Sequence, residues 1–132
     1  MKSGITKFDV IMLIFRLIFG LFLALFHGLP KLVSMADRAS EFIDPIGIGS
    51  GASMFLAMLS ELFCSILVIA GALTRIAVIP ILIIMLIAIF IVHSGESWGI
   101  REPATLFGVG FTVIGLFGAG KLSFDYLFFK RY

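Results

Sequence analysis

The chain has 132 residues, of which 61% are hydrophobic and only 14% are charged. An average soluble domain contains roughly 25% charged residues, and a soluble core of this length cannot bury so much apolar surface. The formal net charge of +2 is also too small to indicate a nucleic-acid partner. The composition therefore excludes an ordinary soluble domain and predicts a membrane protein with a single domain.

Four long apolar segments follow one another along the chain, each close to the roughly 20 residues that a helix needs to cross a bilayer. They cover residues 9–28, 52–74, 75–93 and 103–119. Their hydrophobicity is continuous rather than alternating, which favours helices over the strands of a membrane barrel. The predicted fold is therefore an all-α bundle of four transmembrane helices, with a tight hairpin between the second and the third.

The first apolar segment carries a polar stripe. On a helix, its positions Asp9, Arg16, Gly20, His27 and Lys31 fall on one face. The basic start resembles a signal peptide, but Arg16 interrupts the apolar run and no small-residue cleavage pattern follows. The segment is therefore expected to remain as a helix, with its polar face turned toward the bundle interior.

The distribution of basic residues predicts the orientation in the membrane. One side, formed by the terminal regions and one short turn, contains Lys2, Lys7, Arg75, Lys121, Lys130 and Arg131. The other side contains only Lys31, Arg38 and Arg101, among several acidic residues. Both termini are therefore predicted to be cytoplasmic. The longest connection, residues 29–51, is expected to face outward and to include a short interfacial helix.

Two ionisable residues lie deep in the predicted helices. Counting the helical rise from the cytoplasmic boundary places Arg16 at roughly 10 Å and Glu61 at roughly 18 Å. Buried charges in a bilayer are costly unless they are paired, and this separation is within reach of the two side chains. We therefore expect an ion pair between Arg16 and Glu61, which either serves a ligand or only fixes the register of the first two helices.

Two histidines end the first and third helices at nearly equal depth, about 27 Å from the inner boundary by the same count. Lys31 follows His27 by one turn, and His93 ends the third helix. These residues predict a wet outer mouth that narrows to the buried pair. The candidate ligand-binding residues are therefore Arg16, His27, Lys31, Glu61 and His93, although histidines at helix ends also serve as interfacial anchors.

The fourth apolar segment carries a stripe of small residues. They recur every three or four positions, at Ala104, Gly108, Thr112, Gly115 and Ala119. Small residues let helix backbones approach closely. The stripe therefore predicts packing against the other helices or against a second copy in a homo-oligomer.

Three motifs, in this order, resemble the DoxX family of small four-helix membrane proteins. The first is "RLIFGLFLALFHGLPKL", the second "SELFCSILVIAGALTRIAVIPILIIMLIAIFIVH" and the third "GAGKLSFD". Phe63, Cys64 and Ser65 depart from the small Gly-rich run that often follows the family's glutamate. The resemblance implies a bacterial cytoplasmic (inner) membrane protein associated with redox chemistry, since some relatives are membrane subunits of thiosulfate:quinone oxidoreductases. Others associate with sulfur-transfer and oxidative-stress partners.

The leading hypothesis is a quinone-linked membrane subunit. The bundle offers an apolar slot for the tail, and its polar residues can hydrogen-bond the quinone carbonyls and pass protons. A redox partner subunit is implied, because the sequence has no flavin, iron–sulfur or haem motif. It has a single cysteine, Cys64, and therefore no Cys-x-x-Cys pair; no metal site is predicted either.

Two alternatives come from other classes of protein. One is a non-catalytic scaffold or a bundle that handles a small solute, in which the Arg16–Glu61 pair is purely structural. The other is a haem b protein ligated by His27 and His93, which requires the two imidazoles to converge across the bundle. Catalytic residues and the identity of a cofactor are not specified by the sequence.

Overall fold

The computed structural model of the protein describes residues 4–130, and the regular structure of that range is entirely helical. Four helices are long and apolar enough to span a membrane. They are α1 (Lys7–Glu41), α2 (Ser50–Ala70), α3 (Thr74–Val92) and α4 (Trp98–Phe117), and a short α5 (Phe124–Phe129) follows. The predicted four-helix membrane fold is therefore confirmed.

The helices form an antiparallel bundle with two distinct ends. The connections 42–49 and 93–97 lie at one end, which we call the loop end. The turn 71–73, residues 4–6 and residues 118–130 lie at the other, which we call the termini end. Assignment of the termini end to the cytoplasm stays a prediction from the basic residues, of which Lys2 and Arg131 lie outside the described range.

The helix α1 is much longer than the sequence predicts. It runs for 35 residues, so that the predicted outward loop 29–51 is reduced to residues 42–49. A wide π-helical turn, Ala24–Gly28, ends two residues before Pro30. Proline lacks the backbone N–H and normally disrupts a helix interior, but here the hydrogen-bond pattern has already changed and α-helix resumes at Leu29. The prediction that the helix ends at residue 28 was therefore wrong.

The core lies between the helices and extends from the termini end to the middle of the bundle. It contains Met12, Leu23, Cys64, Val68, Ala77, Val78, Ile81, Met85, Phe111 and Ile114. The helices are in contact in the order α1, α2, α3, α4, and α4 closes the ring against α1. Large apolar side chains such as Phe26, Phe90 and Leu116 point away from this core, as expected for a surface that meets lipid.

Two glycines of the small-residue stripe lie close to α3. A Cβ atom at Gly115 would lie 3.0 Å from Val78, and one at Gly108 would lie 3.8 Å from Met85. Thr112 is exposed and donates its hydroxyl hydrogen to the carbonyl oxygen of Gly108. Gly110, outside the predicted stripe, allows a still closer contact, with the ring of Phe19 on α1.

The start of α1 is tied to the chain segment that follows α4. The carboxylate of Asp9 is buried and accepts hydrogen bonds from the backbone N–H groups of Thr6, at 2.7 Å, and Lys121, at 2.8 Å. Thr6 caps the helix in return, through its hydroxyl oxygen and the N–H of Asp9. Asp9 on the predicted polar stripe is thus a structural residue of the termini end.

Candidate functional site

A cavity of about 580 Å³ lies toward the loop end of the bundle. All four spanning helices contribute to its walls, and residues 42–48 contribute from the loop. Most of the lining is aliphatic or aromatic, and the polar groups are few. Ligand-binding pockets for small molecules typically measure 300–1,000 Å³ and combine apolar walls with a few polar groups in this way.

An ion pair between Lys31 and Glu61 forms the most strongly charged part of the cavity wall. The Nζ atom of Lys31 lies 2.5 Å from Oε2 of Glu61, and the two side chains are only 20% and 8% exposed. The same ammonium group donates a hydrogen bond to the carbonyl oxygen of His27 at 3.2 Å. Each charge thus compensates the cost of burying the other.

His27 and Ser60 complete the polar end of the cavity. Both line it, His27 from α1 and Ser60 from α2 next to Glu61. The imidazole of His27 packs edge-on against Phe107 of α4, with ring centroids 5.3 Å apart. We call His27, Lys31, Ser60 and Glu61 the polar cluster. Ser60 is a residue that the sequence analysis missed, although its position beside a buried glutamate was a usable signal.

Gly28 allows the close approach of α1 and α2 that joins the ion pair. A Cβ atom at Gly28 would lie 2.5 Å from the backbone nitrogen of Leu62 and 2.7 Å from the carbonyl carbon of Glu61. Only a residue without a side chain fits this contact. The π-helical turns Ala24–Gly28 and Leu59–Cys64 meet at the same place, and such turns occur frequently at functional sites.

The predicted ion pair between Arg16 and Glu61 was wrong. The guanidinium of Arg16 is fully buried and donates hydrogen bonds to the carbonyl oxygens of Val68 at 3.4 Å, Ile69 at 3.1 Å and Leu122 at 2.5 Å. Arg16 therefore belongs to the termini end and does not line the cavity. The scaffold alternative can therefore no longer rest on an Arg16–Glu61 pair. A non-catalytic role for the bundle does not depend on that pair.

The physical reason lies in the carbonyl groups at the end of α2. The last carbonyls of a helix have no partner within the helix and carry partial negative charge, so they attract a guanidinium. Ile69 is eight residues beyond Glu61 on α2, a rise of about 12 Å. Arg16 satisfies the nearer carbonyls, and Glu61 pairs with Lys31, which the extension of α1 past Pro30 places alongside it.

His93 lies at the rim of the cavity, and His27 lies deeper. His93 directly follows α3 at the loop end, where its Nδ1 is 3.2 Å from Oε2 of Glu96 and its carbonyl accepts a hydrogen bond from Arg101. The ring partner of His27, Phe107, is nine residues into α4, or about 14 Å from that end. The prediction of equal depth for the two histidines was therefore wrong, whereas the wet outer mouth stays a prediction.

The connection between α1 and α2 covers the loop end of the cavity with apolar side chains. Phe42, Ile43, Pro45, Ile46 and Ile48 all line the cavity. The sequence analysis treated this stretch as part of an outward-facing connection. The usable signal was its apolar content, since "FIDPIGI" is too short for a helix and too apolar for an ordinary loop. We call residues 42–48 the cover segment.

Asp44 holds the cover segment in a fixed shape. Its carboxylate accepts hydrogen bonds from the N–H groups of Ile48 at 3.0 Å and Gly49 at 2.9 Å, and from the hydroxyl of Ser53 at 2.9 Å. The Gly49 amide and, next to it, the Ser53 hydroxyl hold the pKa of the Asp44 carboxyl below its usual range. The charged form of Asp44 is thus the form that closes the turn.

The structure brings four of the five predicted site residues to one cavity. His27, Lys31, Glu61 and His93 line it, whereas Arg16 does not. Within residues 4–130, no three His, Cys, Asp or Glu side chains are close enough together to hold a metal ion. The arrangement can bind an apolar molecule whose polar end meets a buried ion pair, an imidazole and a hydroxyl.

The comparison with protein families gives a match over most of the cavity wall. The family model described as DoxX matches residues 11–94, well over half of the chain. This range contains the whole polar cluster and His93, together with the cover segment. No curated protein and no solved structure matches the chain.

Proposed function

The chain belongs to the DoxX family, and we propose that it is a quinone-binding subunit of a redox system in the bacterial cytoplasmic membrane. It is a multi-pass membrane protein. The single observation that carries the proposal is a buried Lys31–Glu61 pair set in the wall of an otherwise apolar cavity. A quinone has the complementary chemistry, because its ring and tail are apolar and its carbonyl oxygens accept hydrogen bonds.

The polar cluster supplies the groups that a bound quinone needs. The Lys31 ammonium can donate a hydrogen bond to a carbonyl oxygen, and the His27 imidazole can do so in its suitable tautomer. Negative charge develops on the quinone oxygens during reduction, and a neighbouring ammonium stabilises it. Glu61 and His27 can pass protons to these oxygens, since a proton donor must lie within hydrogen-bond reach of its acceptor.

The reduction of a quinone to a quinol consumes two electrons and two protons. Side chains of the polar cluster can transfer the protons but cannot supply the electrons. The electrons therefore come from a partner subunit that carries a redox cofactor, as is implied by the family's inclusion of membrane subunits of thiosulfate:quinone oxidoreductases. The function proposed for this chain is accordingly binding and proton delivery, with the oxidation of the donor substrate on the partner.

A second candidate function is a non-catalytic bundle that organises other membrane proteins. One observation favours it: Lys31 and Glu61 already compensate each other's charge, so the pair needs no ligand to balance it. In this case the cavity holds lipid, and the ion pair only fixes the register of α1 against α2. The haem b alternative is tested at once by the visible absorption of the purified protein, because a haem ligated by His27 and His93 absorbs strongly there.

The test is equilibrium binding of a short-tailed ubiquinone and of a menaquinone analogue to the purified protein in lipid nanodiscs. We expect saturable binding that His27→Phe and Glu61→Gln each weaken by about tenfold, since each removes a hydrogen-bonding or proton-transfer group. Thr112→Val is the matched control, because Thr112 is exposed on α4 and does not line the cavity. Binding that is absent, or equal in all variants, would overturn the quinone proposal.

A further inference from the structure

The helices α2 and α3 are packed together over only part of their length. Residues 59–70 of α2 pack against α3. The first part of α2, Ser50–Met58, packs instead on the extension of α1, Leu29–Arg38. Within the described residues, Ser50–Met58 makes no comparable contact with α3. The two helices therefore separate toward the loop end, and the cavity lies in the space between them.

The edges of this separation face outward from the bundle. Leu56 on α2 and Ile83 on α3 both line the cavity, yet they are 44% and 51% exposed. A side chain with both properties lies at the border between the cavity and the surroundings. Both positions are inside membrane-spanning helices, where the surroundings are acyl chains. The separation is thus an opening toward lipid, which we call the lateral gap.

The border of the cavity at the loop end is apolar, since Ile43, Ile46 and Ile48 of the cover segment line the cavity and are also 50%, 52% and 45% exposed. Asp44 fixes the turn of this segment through three hydrogen bonds. A charged or strongly hydrated solute entering there would have to pass these side chains and lose its hydration. The lateral gap offers an apolar molecule a path without that cost.

From this geometry we infer that the ligand enters from the bilayer, through the lateral gap, and that it is an amphiphile with a tail. The polar head lies against Lys31 and Glu61, and the apolar tail leaves through the gap beside Leu56 and Ile83. The inference rests on the proposed function for the identity of the head, a quinone. It adds the requirement for a tail and the leaflet of entry, which is the one on the loop-end side.

The test compares a tailed quinone with a tail-less one, for the wild type and for two variants in nanodiscs. Ile83→Trp narrows the lateral gap. Ile79→Trp is the matched control, because Ile79 lies one turn earlier on α3, is 54% exposed and does not line the cavity. We expect Ile83→Trp to weaken binding of decylubiquinone about tenfold and of the tail-less duroquinone by less than about twofold. The Ile79→Trp protein should bind both quinones as the wild type does.

The outcomes separate the two proposals. If both quinones bind but Ile83→Trp affects them equally, or affects neither, entry through the gap is wrong while the quinone proposal stands. If neither quinone binds, the quinone proposal fails. The existence of the lateral gap is then tested without a ligand, by the accessibility of a spin label. A nitroxide at position 57, introduced as Ala57→Cys in a Cys64→Ser chain, should then collide more often with oxygen dissolved in lipid than with a water-soluble nickel chelate. The reverse preference would overturn the lateral gap as well.

Discussion

The Nζ atom of Lys31 lies 2.5 Å from Oε2 of Glu61, across the interface between α1 and α2. Both side chains are largely removed from solvent, so each charge depends on the other. The contact fixes the relative register of the two helices and gives the cavity its only ion pair among the lining residues. It is also the relationship from which most consequences for stability and binding follow.

The first prediction is that Lys31 and Glu61 are energetically coupled. Lys31→Met and Glu61→Gln should each lower the free energy of unfolding by about 1–3 kcal/mol, because each leaves the other residue without its partner. The double variant should lose at least about 1 kcal/mol less than the sum of the two single losses. The measurement is a double-mutant cycle, in which the wild type, the two single variants and the double variant are each unfolded in mixed micelles with increasing denaturing detergent.

The control cycle uses Arg16 in place of Lys31. Since Arg16 donates to carbonyl oxygens near the termini end, Arg16→Met and Glu61→Gln should be additive to within about 0.5 kcal/mol. Strong coupling between Arg16 and Glu61, together with additivity for Lys31 and Glu61, would show that the pairing described here is incorrect.

The second prediction concerns the close contact at Gly28. Gly28→Ala should destabilise the bundle by about 1–3 kcal/mol, because the new methyl group meets backbone atoms that cannot move aside. It should also weaken the coupling measured between Lys31 and Glu61. Gly51→Ala is the matched control: Gly51 is an exposed helical glycine with nothing within 4 Å of a new Cβ atom. That substitution should be neutral or stabilising, by up to about 1 kcal/mol.

The third prediction is that lysine cannot replace Arg16. The guanidinium reaches carbonyl oxygens on two separate segments, Val68 and Ile69 at the end of α2 and Leu122 beyond α4. A lysine ammonium is a compact charge without this planar fork, and buried carbonyls would be left without donors. Arg16→Lys should therefore cost about 1–3 kcal/mol. Arg38→Lys on the exposed end of α1 should change the stability by less than about 0.5 kcal/mol.

The fourth prediction is that the cover segment loosens in acid. The pKa of Asp44 is lowered from its ordinary value of 3.8. Because the folded pKa is the lower one, the stabilising contribution of the carboxylate is complete above the ordinary value and is lost as the pH falls through the folded value. Asp44→Ala should abolish the contribution at every pH. The mobility of a nitroxide at position 46, in an Ile46→Cys, Cys64→Ser chain, reports the motion of the segment.

Two results would contradict this assignment. A nitroxide at position 46 that is equally mobile at pH 6 and at the lowest pH at which the bundle stays folded would remove the role of the charged carboxylate. If the label is equally mobile at pH 6 in chains with and without the Asp44→Ala substitution, Asp44 does not hold the segment at all.

The fifth prediction concerns orientation. In a Cys64→Ser chain, a cysteine at Ser40, near the loop end, should react with an impermeant maleimide added outside intact cells or spheroplasts. A cysteine at Lys130, at the termini end, should react only after the membrane is permeabilised, because the basic residues favour a cytoplasmic termini end. The opposite labelling pattern would reverse the orientation and with it the leaflet from which the ligand is proposed to enter.

The sequence alone determined the class of protein and the set of residues that matter. Continuous apolar segments of sufficient length predicted four spanning helices, since hydropathy acts locally and needs no knowledge of neighbours. The cost of ionisable groups in a bilayer singled out His27, Lys31, Glu61 and His93, which the structure brings to one cavity. The same rule singled out Arg16 but could not say which groups satisfy it.

Only the tertiary structure decided which residues are partners. Depths counted from the helical rise assume that each helix begins and ends where its apolar segment does. Helix α1 instead continues beyond that point, through a π turn and Pro30. The register of α1 against α2 then follows from the contact at Gly28, which depends on atoms far apart in the sequence. Lys31 therefore meets Glu61 while Arg16 meets carbonyl groups, because every residue carries a backbone carbonyl and the sequence does not distinguish the few that accept from a distant side chain.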